Sequence, residues 1–225
     1  MEWDRKSFVE STGLKDEELK SINAIDGSIS PDDLDGYEAA IIGGSKLGVY
    51  DDIPNKNALK DFIKKAAKSG LPVLGICFGA QLIAETLGGK VVKDIERQEF
   101  GTFEIQKTEQ GIEDFLMEGL PKKFLAQCSH NDRVVLMPNG SISLAKSARC
   151  PIQTFKIPGT KIYCVQFHPE RSKETFQEFL KYEIEQPVDD KKALDVPPWK
   201  QILKNLKTTH TDIILKNFVK WATTK

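Results

Sequence analysis

The fold follows from one stretch of sequence, Pro72-Val-Leu-Gly-Ile-Cys-Phe-Gly-Ala-Gln81. Its first part, up to Ile76, consists of small and branched apolar residues, which are typical of a buried strand. The residues that follow, from Ala80 to Leu87, have the apolar spacing of a helix. Glycines on both sides of Cys77 permit a tight turn between the two elements. The stretch therefore predicts a strand, a sharp corner and a helix, with Cys77 on the corner at the carboxyl end of the strand.

The position of Cys77 favours a chemical role. The helix that follows directs its free backbone N–H groups and the positive end of its dipole toward the corner, which favours a thiolate. The thiolate is the nucleophilic form of cysteine. The alternative is structural, because a lone cysteine in an apolar strand is usually a small core residue. The spacing Gly-Ile-Cys-Phe-Gly at a strand-to-helix corner favours the nucleophile.

A second segment supplies the partners of a nucleophile. The run from Lys161 to Phe167 is typical of a buried strand, and it leads into His168-Pro-Glu170. In extended backbone, residues two apart point to the same side, so the imidazole of His168 and the carboxylate of Glu170 can lie together. This string alone is also compatible with a surface histidine at a strand end. Together with Cys77 it predicts a set of nucleophile, base and orienting carboxylate.

Strands and helices alternate along the chain, which predicts an α/β fold. We expect a mostly parallel open sheet flanked by helices in three layers, as in flavodoxin-like folds, with an antiparallel portion from the later strands. Ligands of such sheets bind at the carboxyl ends of the strands, where Gly44, Cys77 and His168 lie. We interpret residues 1–185 as one domain, with residues 186–225 as a C-terminal insertion and a final helix packed on it.

Composition excludes several classes of function. The chain has 225 residues with 32 basic and 33 acidic side chains, so it has no overall positive charge for nucleic acid. It lacks an apolar run long enough for a membrane span and a signal-like N-terminus, and we expect a cytoplasmic protein. The four cysteines lack metal-ligand spacing, so we expect neither a metal site nor disulfides, and no cofactor. Buried thiols are expected at Cys128, Cys150 and Cys164.

The chain resembles the class I glutamine amidotransferases. The resemblance covers about residues 22–184 and the last helix. The residues that carry it are Gly75-Ile-Cys-Phe-Gly-Ala-Gln81 at the nucleophile and Gln166-Phe-His-Pro-Glu170 at the base. Supporting segments, in family order, are Tyr37–Ser45, Glu99-Phe-Gly101, Ser129-His-Asn-Asp132, Pro121–Phe124, Cys150-Pro-Ile152 and Ile213–Phe218.

The resemblance implies a mechanism and a set of site residues. Cys77 would attack the side-chain amide of glutamine, with His168 as base and Glu170 as its orienting carboxylate. The backbone N–H groups of Gly44 and Phe78 would form the oxyanion hole. His130 lies in a polar, loop-like segment, so a solvated turn is the alternative for that residue. The resemblance also assigns substrate positioning to Gln81, Phe100, Gly101, Ser129 and His130.

Three functions are compatible with these residues. The first is glutamine hydrolysis that supplies ammonia to a separate ATP-dependent synthetase subunit, because Glu99–Gly101 and Cys150–Ile152 most resemble the amidotransferase half of GMP synthase. The second is a free-standing γ-glutamyl peptidase, which the segment Val49–Pro54 resembles more closely. The third is a non-catalytic regulatory module that has kept the fold. The intact set of Cys77, His168 and Glu170 argues against the third.

The chain departs from the family in two places. The family opens with a central strand, whereas the apolar pattern of a strand is missing at the start of this sequence. We expect another segment to fill that position. The second departure is the insertion after the helix that begins near Thr175, with a polar linker at 186–192. The final helix, Thr211–Trp221, has an apolar face that suits packing on the core, a homodimer contact or a partner-docking face.

Overall fold

The structure, a computed structural model, describes residues 2–24, 29, 36–185 and 198–224. Nine strands and seven α-helices lie within these residues. The strands are β1 (Ala40–Ile42), β2 (Val73–Ile76), β3 (Lys90–Lys93), β4 (Glu99–Lys107), β5 (Lys123–His130), β6 (Asp132–Leu136), β7 (Ile142–Ser147), β8 (Thr154–Ile157) and β9 (Ile162–Val165). The helices are α1 (Glu2–Thr12), α2 (Lys56–Ser69), α3 (Phe78–Thr86), α4 (Glu109–Glu113), α5 (Lys173–Glu185), α6 (Trp199–Asn205) and α7 (Asp212–Thr223).

Seven strands form the main sheet, in the order β1-β2-β9-β8-β7-β4-β5, and β3 pairs with β6 in a separate ribbon. The strands β1, β2 and β9 are parallel. The neighbours from β9 to β5 are antiparallel. The predicted α/β class and antiparallel portion are confirmed. The parallel part is smaller than predicted, because four of the seven strands belong to the antiparallel part.

The sheet has an apolar core on each face. Strand β2 shows why, since its residues are buried on both sides and alternate between the two cores. Leu74 and Ile76 pack in the core that includes residues of α7. Val73 packs in the core that includes residues of α2 and α3. Helices therefore cover both faces, in the three-layer arrangement that the alternation of elements predicts.

The N-terminal residues do not form the strand with which the family opens. Residues 2–12 form α1, which packs against α7. The ring of Phe8 contacts the core that α7 covers and lies close to Gly43. Within the described part of the chain, β1 is the edge strand of the parallel part of the sheet.

The C-terminal segment packs on the elements before it. Residues of α7, including Phe218, belong to the core on one face of the sheet. Helix α6 packs against α5 and β4. The predicted linker at 186–192 lies outside the described residues. No helix among the described residues has the length and apolar character to span a membrane.

Glycine is required at the corner between β2 and α3 because backbone and side chains approach it closely. A Cβ on Gly79 would overlap the carbonyl oxygen of Ile42 on β1. A Cβ on Gly75 would lie 2.6 Å from the Cδ1 atom of Ile83. Helix α3 therefore packs against β1 and β2 at a distance that a larger residue does not allow.

Gly79→Ala tests this close packing. We expect it to lower the free energy of unfolding by about 3 kcal/mol, because the methyl group meets backbone rather than a flexible side chain. Gly140→Ala is the matched control: its Cβ meets open space, and its positive φ of +75° costs about 1 kcal/mol. Denaturant unfolding of the two variants measures the difference. Equal losses would contradict the packing argument.

Candidate active site

Cys77 occupies the corner between β2 and α3 in a strained conformation. Its backbone φ is +51° and its ψ is −107°. It is the one non-glycine residue with positive φ in the described part of the chain. Two hydrogen bonds hold the corner: the N–H of Cys77 donates to the carbonyl oxygen of Val165 at 2.8 Å, and that of Gly79 donates to Gly43 at 3.1 Å. Strain of this kind costs about 1–3 kcal/mol and is typical of functional sites.

His168 and Glu170 follow β9 and lie beside Cys77. The His168 Nδ1 atom is 2.6 Å from the Glu170 Oε1 atom, and both side chains are buried. The backbone N–H of His168 donates to the carbonyl oxygen of Gln127 at 2.8 Å, which fixes the segment against β5. The sulfur of Cys77 is close enough to the His168 ring to raise the pKa of this imidazole. The three residues predicted as a catalytic set are therefore in contact.

Electrostatics favours the charged form of His168. Burial alone lowers the pKa of an imidazole, but the neighbouring Glu170 carboxylate and the Cys77 sulfur outweigh burial and raise the pKa of His168 to about 10. Burial likewise opposes ionisation of Glu170, yet the interaction with His168 lowers the pKa of this carboxyl group below its usual value. At neutral pH the pair is therefore imidazolium and carboxylate.

Gly44 lies against the same two side chains. A Cβ at this position would be 3.0 Å from the His168 Cε1 atom and 3.6 Å from the Cys77 Cβ atom. The backbone at Gly44 therefore reaches the nucleophile because the residue has no side chain. Phe78 is the first residue of α3, so its N–H has no acceptor within the helix. The backbone of Gly44 and the first N–H of α3 thus border Cys77, and backbone donors of this kind form oxyanion holes in enzymes.

A second wall of the site comes from the end of β5. The carbonyl oxygen of Ser129 is 3.9 Å from the sulfur of Cys77. Across the sheet, Phe100 pairs with Ser129, and Gly101 pairs with Cys128. The ring of Phe100 packs edge-on against Trp199 of α6, with ring centroids 5.2 Å apart. Ser129 therefore lies at the nucleophile, whereas Phe100 and Gly101 are on the neighbouring strand.

The side chains of Gln81 and His130 are buried in a polar network. Gln81 Nε2 donates to the carbonyl oxygen of Asp132 and to the side-chain oxygen of Gln166, both at 3.1 Å. His130 Nδ1 lies 3.1 Å from that same Asp132 oxygen. These predicted substrate residues thus bind other parts of the protein through their side chains. The solvated-turn alternative for His130 does not fit its burial.

Three members of this network are not predictable from the sequence as site residues. Glu99 stands out only as part of a family segment, and its carboxylate lies 3.1 Å from the His130 Nε2 atom. Ser147 Oγ donates to Glu99 Oε1 at 2.7 Å, and Gln153 Nε2 donates to Glu99 Oε2 at 2.5 Å. Ser147 and Gln153 carry no local signal, because their role depends on which strands are neighbours. The pairing of Glu99 with His130 likewise depends on the register of β4 against β5.

One cluster has the composition of a metal site. The potential ligand atoms of Glu99, Cys128 and His130 all lie within 4.8 Å of one another. However, Glu99 and His130 hydrogen-bond to each other and to protein neighbours. Burial also raises the pKa of the Cys128 thiol well above its usual value, which opposes the thiolate that a metal requires. The cluster therefore works as a hydrogen-bond network. The predicted buried thiols at Cys128, Cys150 and Cys164 are confirmed.

The geometry around Cys77 suits acyl transfer. The Cys77 side chain, the His168–Glu170 pair and the backbone of Gly44 lie together at the carboxyl ends of β2, β9 and β1. The structure thus supports a cysteine-dependent attack on a carbonyl carbon.

Sequence comparison identifies relatives of this chain. Residues 28–186 match the family model described as glutamine amidotransferase class-I. The chain is 32% identical over 177 residues to one subunit of the glutamine-hydrolysing GMP synthase of Sulfolobus acidocaldarius, covering 75% of this chain and 89% of that protein. It is 41% identical over 130 residues to the GMP synthase of Lactobacillus delbrueckii subsp. bulgaricus, covering 58% of this chain. That match spans only 24% of the Lactobacillus protein.

Solved structures agree with the sequence comparison. A putative GMP synthase subunit from Thermoplasma acidophilum superposes with a TM-score of 0.62 at 25% identity, over 86% of this chain and 77% of that one. A glutamine amidotransferase of Methylobacillus flagellatus has the same fold, with a TM-score of 0.70 at 19% identity over 96% and 88% of the two chains. The family match covers most of the sequence and both motifs that meet at Cys77. The chain belongs to the class I glutamine amidotransferase family.

Proposed function

We propose that this chain hydrolyses the side-chain amide of glutamine through a thioester on Cys77. The contact between Cys77, the His168–Glu170 pair and the backbone of Gly44 carries this proposal. The Cys77 thiolate attacks the amide carbon, and the N–H groups of Gly44 and Phe78 stabilise the oxyanion. His168 donates its proton to the amide nitrogen, the C–N bond breaks, and ammonia leaves.

Water completes the cycle. The neutral His168 accepts a proton from a water molecule, whose oxygen attacks the thioester carbon. The C–S bond then breaks, glutamate leaves, and the Cys77 thiolate and His168 imidazolium are restored. Glu170 holds the orientation of the ring through the 2.6 Å contact and stabilises its charge in both half-reactions. Every proton and electron pair in this sequence is supplied by the substrate, water and these side chains.

The use of the ammonia is the next part of the proposal. The relative from Sulfolobus is a separate subunit of GMP synthase, and the match covers 89% of it. This supports a chain that supplies ammonia to a separate ATP-dependent synthetase subunit. Hydrolysis of γ-glutamyl peptides by the chain on its own is the alternative, and the choice of substrate distinguishes the two.

The proposal predicts that Cys77→Ala lowers glutaminase activity by about 1,000-fold or more, because no other group can form the thioester. Cys164→Ala is the matched control, since this thiol is also buried at the sheet but lies in the core with α2 and α3. Glutamate release from glutamine and from a γ-glutamyl dipeptide is measured for the wild type and both variants. Unchanged turnover in Cys77→Ala contradicts the mechanism, and a preference for the dipeptide favours the peptidase.

The pKa of His168 predicts the alkaline limit of activity. Loss of the imidazolium proton removes the acid that protonates the leaving group, so kcat/KM should fall as the pH rises through about 10. Glu170→Gln removes the carboxylate that raises this pKa and should shift the limb to lower pH by about one unit or more. Glu170→Asp keeps the charge and should shift it less. If kcat/KM of Glu170→Gln falls at the same alkaline pH as that of the wild type, the group that titrates there is not His168.

Substitutions at two neighbouring glycines test the close approach of the Gly44 backbone to His168. In Gly44→Ala the new methyl group lies 3.0 Å from the His168 ring, so we expect it to displace the ring and lower kcat/KM about 10- to 100-fold. In Gly43→Ala the nearest atom is 3.7 Å away, on the Phe8 ring, so activity should stay close to that of the wild type. Steady-state kinetics and thermal unfolding of both variants check this. Equal activity in the two variants is the contrary result.

A further inference from the structure

The carbonyl oxygen of Ser129 is placed where a substrate carboxamide must fit. It lies 3.9 Å from the Cys77 sulfur, on the side of the site formed by the end of β5. An amide carbon ready for attack approaches a nucleophile to about 3–3.5 Å. The NH₂ group of that amide then comes within reach of the Ser129 carbonyl, which accepts hydrogen bonds only. The separation of Ser129 and Cys77 therefore controls how the amide is aligned.

A buried carboxylate holds the residue next to Ser129. Glu99 is the first residue of β4 and pairs directly with His130, the last residue of β5. Its side chain is fully buried, and it accepts hydrogen bonds from Ser147 at 2.7 Å and Gln153 at 2.5 Å. The remaining neighbour of the carboxylate is His130 Nε2, at 3.1 Å. Glu99 thus joins β4 and β7, through Ser147, to the end of β5.

His130 connects Glu99 to α3, the helix that begins next to Cys77. Its Nδ1 atom faces the backbone oxygen of Asp132, which cannot donate, so Nδ1 carries a proton. The same oxygen accepts the side-chain N–H of Gln81, a residue of α3, the helix that begins next to Cys77. The chain of contacts from Glu99 through His130 and Asp132 to Gln81 therefore spans the two walls between which the sulfur lies.

We propose that Glu99 and His130 are positioning residues that set the distance between the Ser129 carbonyl and the Cys77 sulfur for a glutamine-shaped substrate. They act through the backbone of residues 129–132 and do not touch the reacting atoms. This inference rests on the proposed glutaminase function. It assigns the buried Glu99–His130 pair to substrate alignment, whereas a purely structural role would affect stability alone.

Glu99→Gln is the test. The amide keeps the volume of the side chain but places an NH₂ group where the carboxylate accepts hydrogen bonds from Ser147 and Gln153, so the network must rearrange. We expect kcat/KM for glutamine to fall about tenfold or more. The rate at which methyl methanethiosulfonate, a small thiol reagent, labels Cys77 should stay within about twofold of the wild type. A diazoketone analogue of glutamine that alkylates the nucleophile should label the variant about tenfold more slowly.

Asp114→Asn is the matched control. Asp114 is also a buried carboxylate that accepts hydrogen bonds, among them those from the N–H of Leu116 at 3.0 Å and from Lys156 Nζ at 2.7 Å. It follows α4, beyond the opposite end of β4. Its replacement should lower the melting temperature. It should leave kcat/KM for glutamine and the two labelling rates, with the small thiol reagent and with the diazoketone, close to those of the wild type. Ser147→Ala, which removes a single donor to Glu99, replaces Glu99→Gln if that variant does not fold, with an expected two- to fivefold loss in kcat/KM.

The outcomes separate the two levels of the proposal. If the wild type neither hydrolyses glutamine nor reacts with the diazoketone, the proposed function fails, and the positioning role fails with it. If the wild type does both but Glu99→Gln matches it within twofold, only the positioning role is overturned. It is also overturned if the small reagent and the diazoketone label Glu99→Gln more slowly by the same factor. The same holds if Asp114→Asn loses as much kcat/KM as Glu99→Gln does.

Discussion

The corner at Cys77 is the constraint on which the rest of the site depends. A cysteine at φ +51° is unfavourable in isolation, so surrounding contacts must hold it there. They are the hydrogen bond from its N–H to Val165 on β9 and the close approach of Gly79 to β1. The strands that border β2 thus stabilise the conformation that presents the sulfur. Because those strands also lead to Gly44 and His168, one packing arrangement brings the Cys77 side chain, the Gly44 backbone and the His168 ring together.

The antiparallel half of the sheet contributes the other side of the candidate site. The parallel strands supply Gly44, Cys77 and His168, whereas β4 and β5 supply the wall opposite the sulfur. Polar side chains join the two halves: Gln81 of α3 binds the backbone of Asp132, and the backbone N–H of His168 binds Gln127 of β5. Buried polar groups need partners, so such a network has a small number of satisfied arrangements. The network therefore holds the two halves of the sheet in a fixed arrangement around Cys77.

Prediction from sequence succeeds where local geometry depends on adjacent residues. The corner is predictable because a strand pattern, two glycines and a helix pattern are contiguous around Cys77. The pair of His168 and Glu170 is predictable because alternate residues of an extended segment share a side. Strand order is harder to predict, because a short apolar segment does not indicate which strands it pairs with. For this reason the predicted parallel part of the sheet is too large. The helix formed by residues 2–12 has weak amphipathic character and packs mainly through contacts with α7.

The sequence by itself determined the candidate site: the cysteine at the corner, the histidine and glutamate two residues apart, and the glycines that let backbone approach them. Each of these follows from a few adjacent residues and the rules of local backbone geometry. Only the tertiary structure decided the partners of Glu99, the burial of Gln81 and His130, and the place of Ser129 at the nucleophile. Those contacts join residues from separate strands and α3, and strand register, which sets them, depends on packing across the whole sheet.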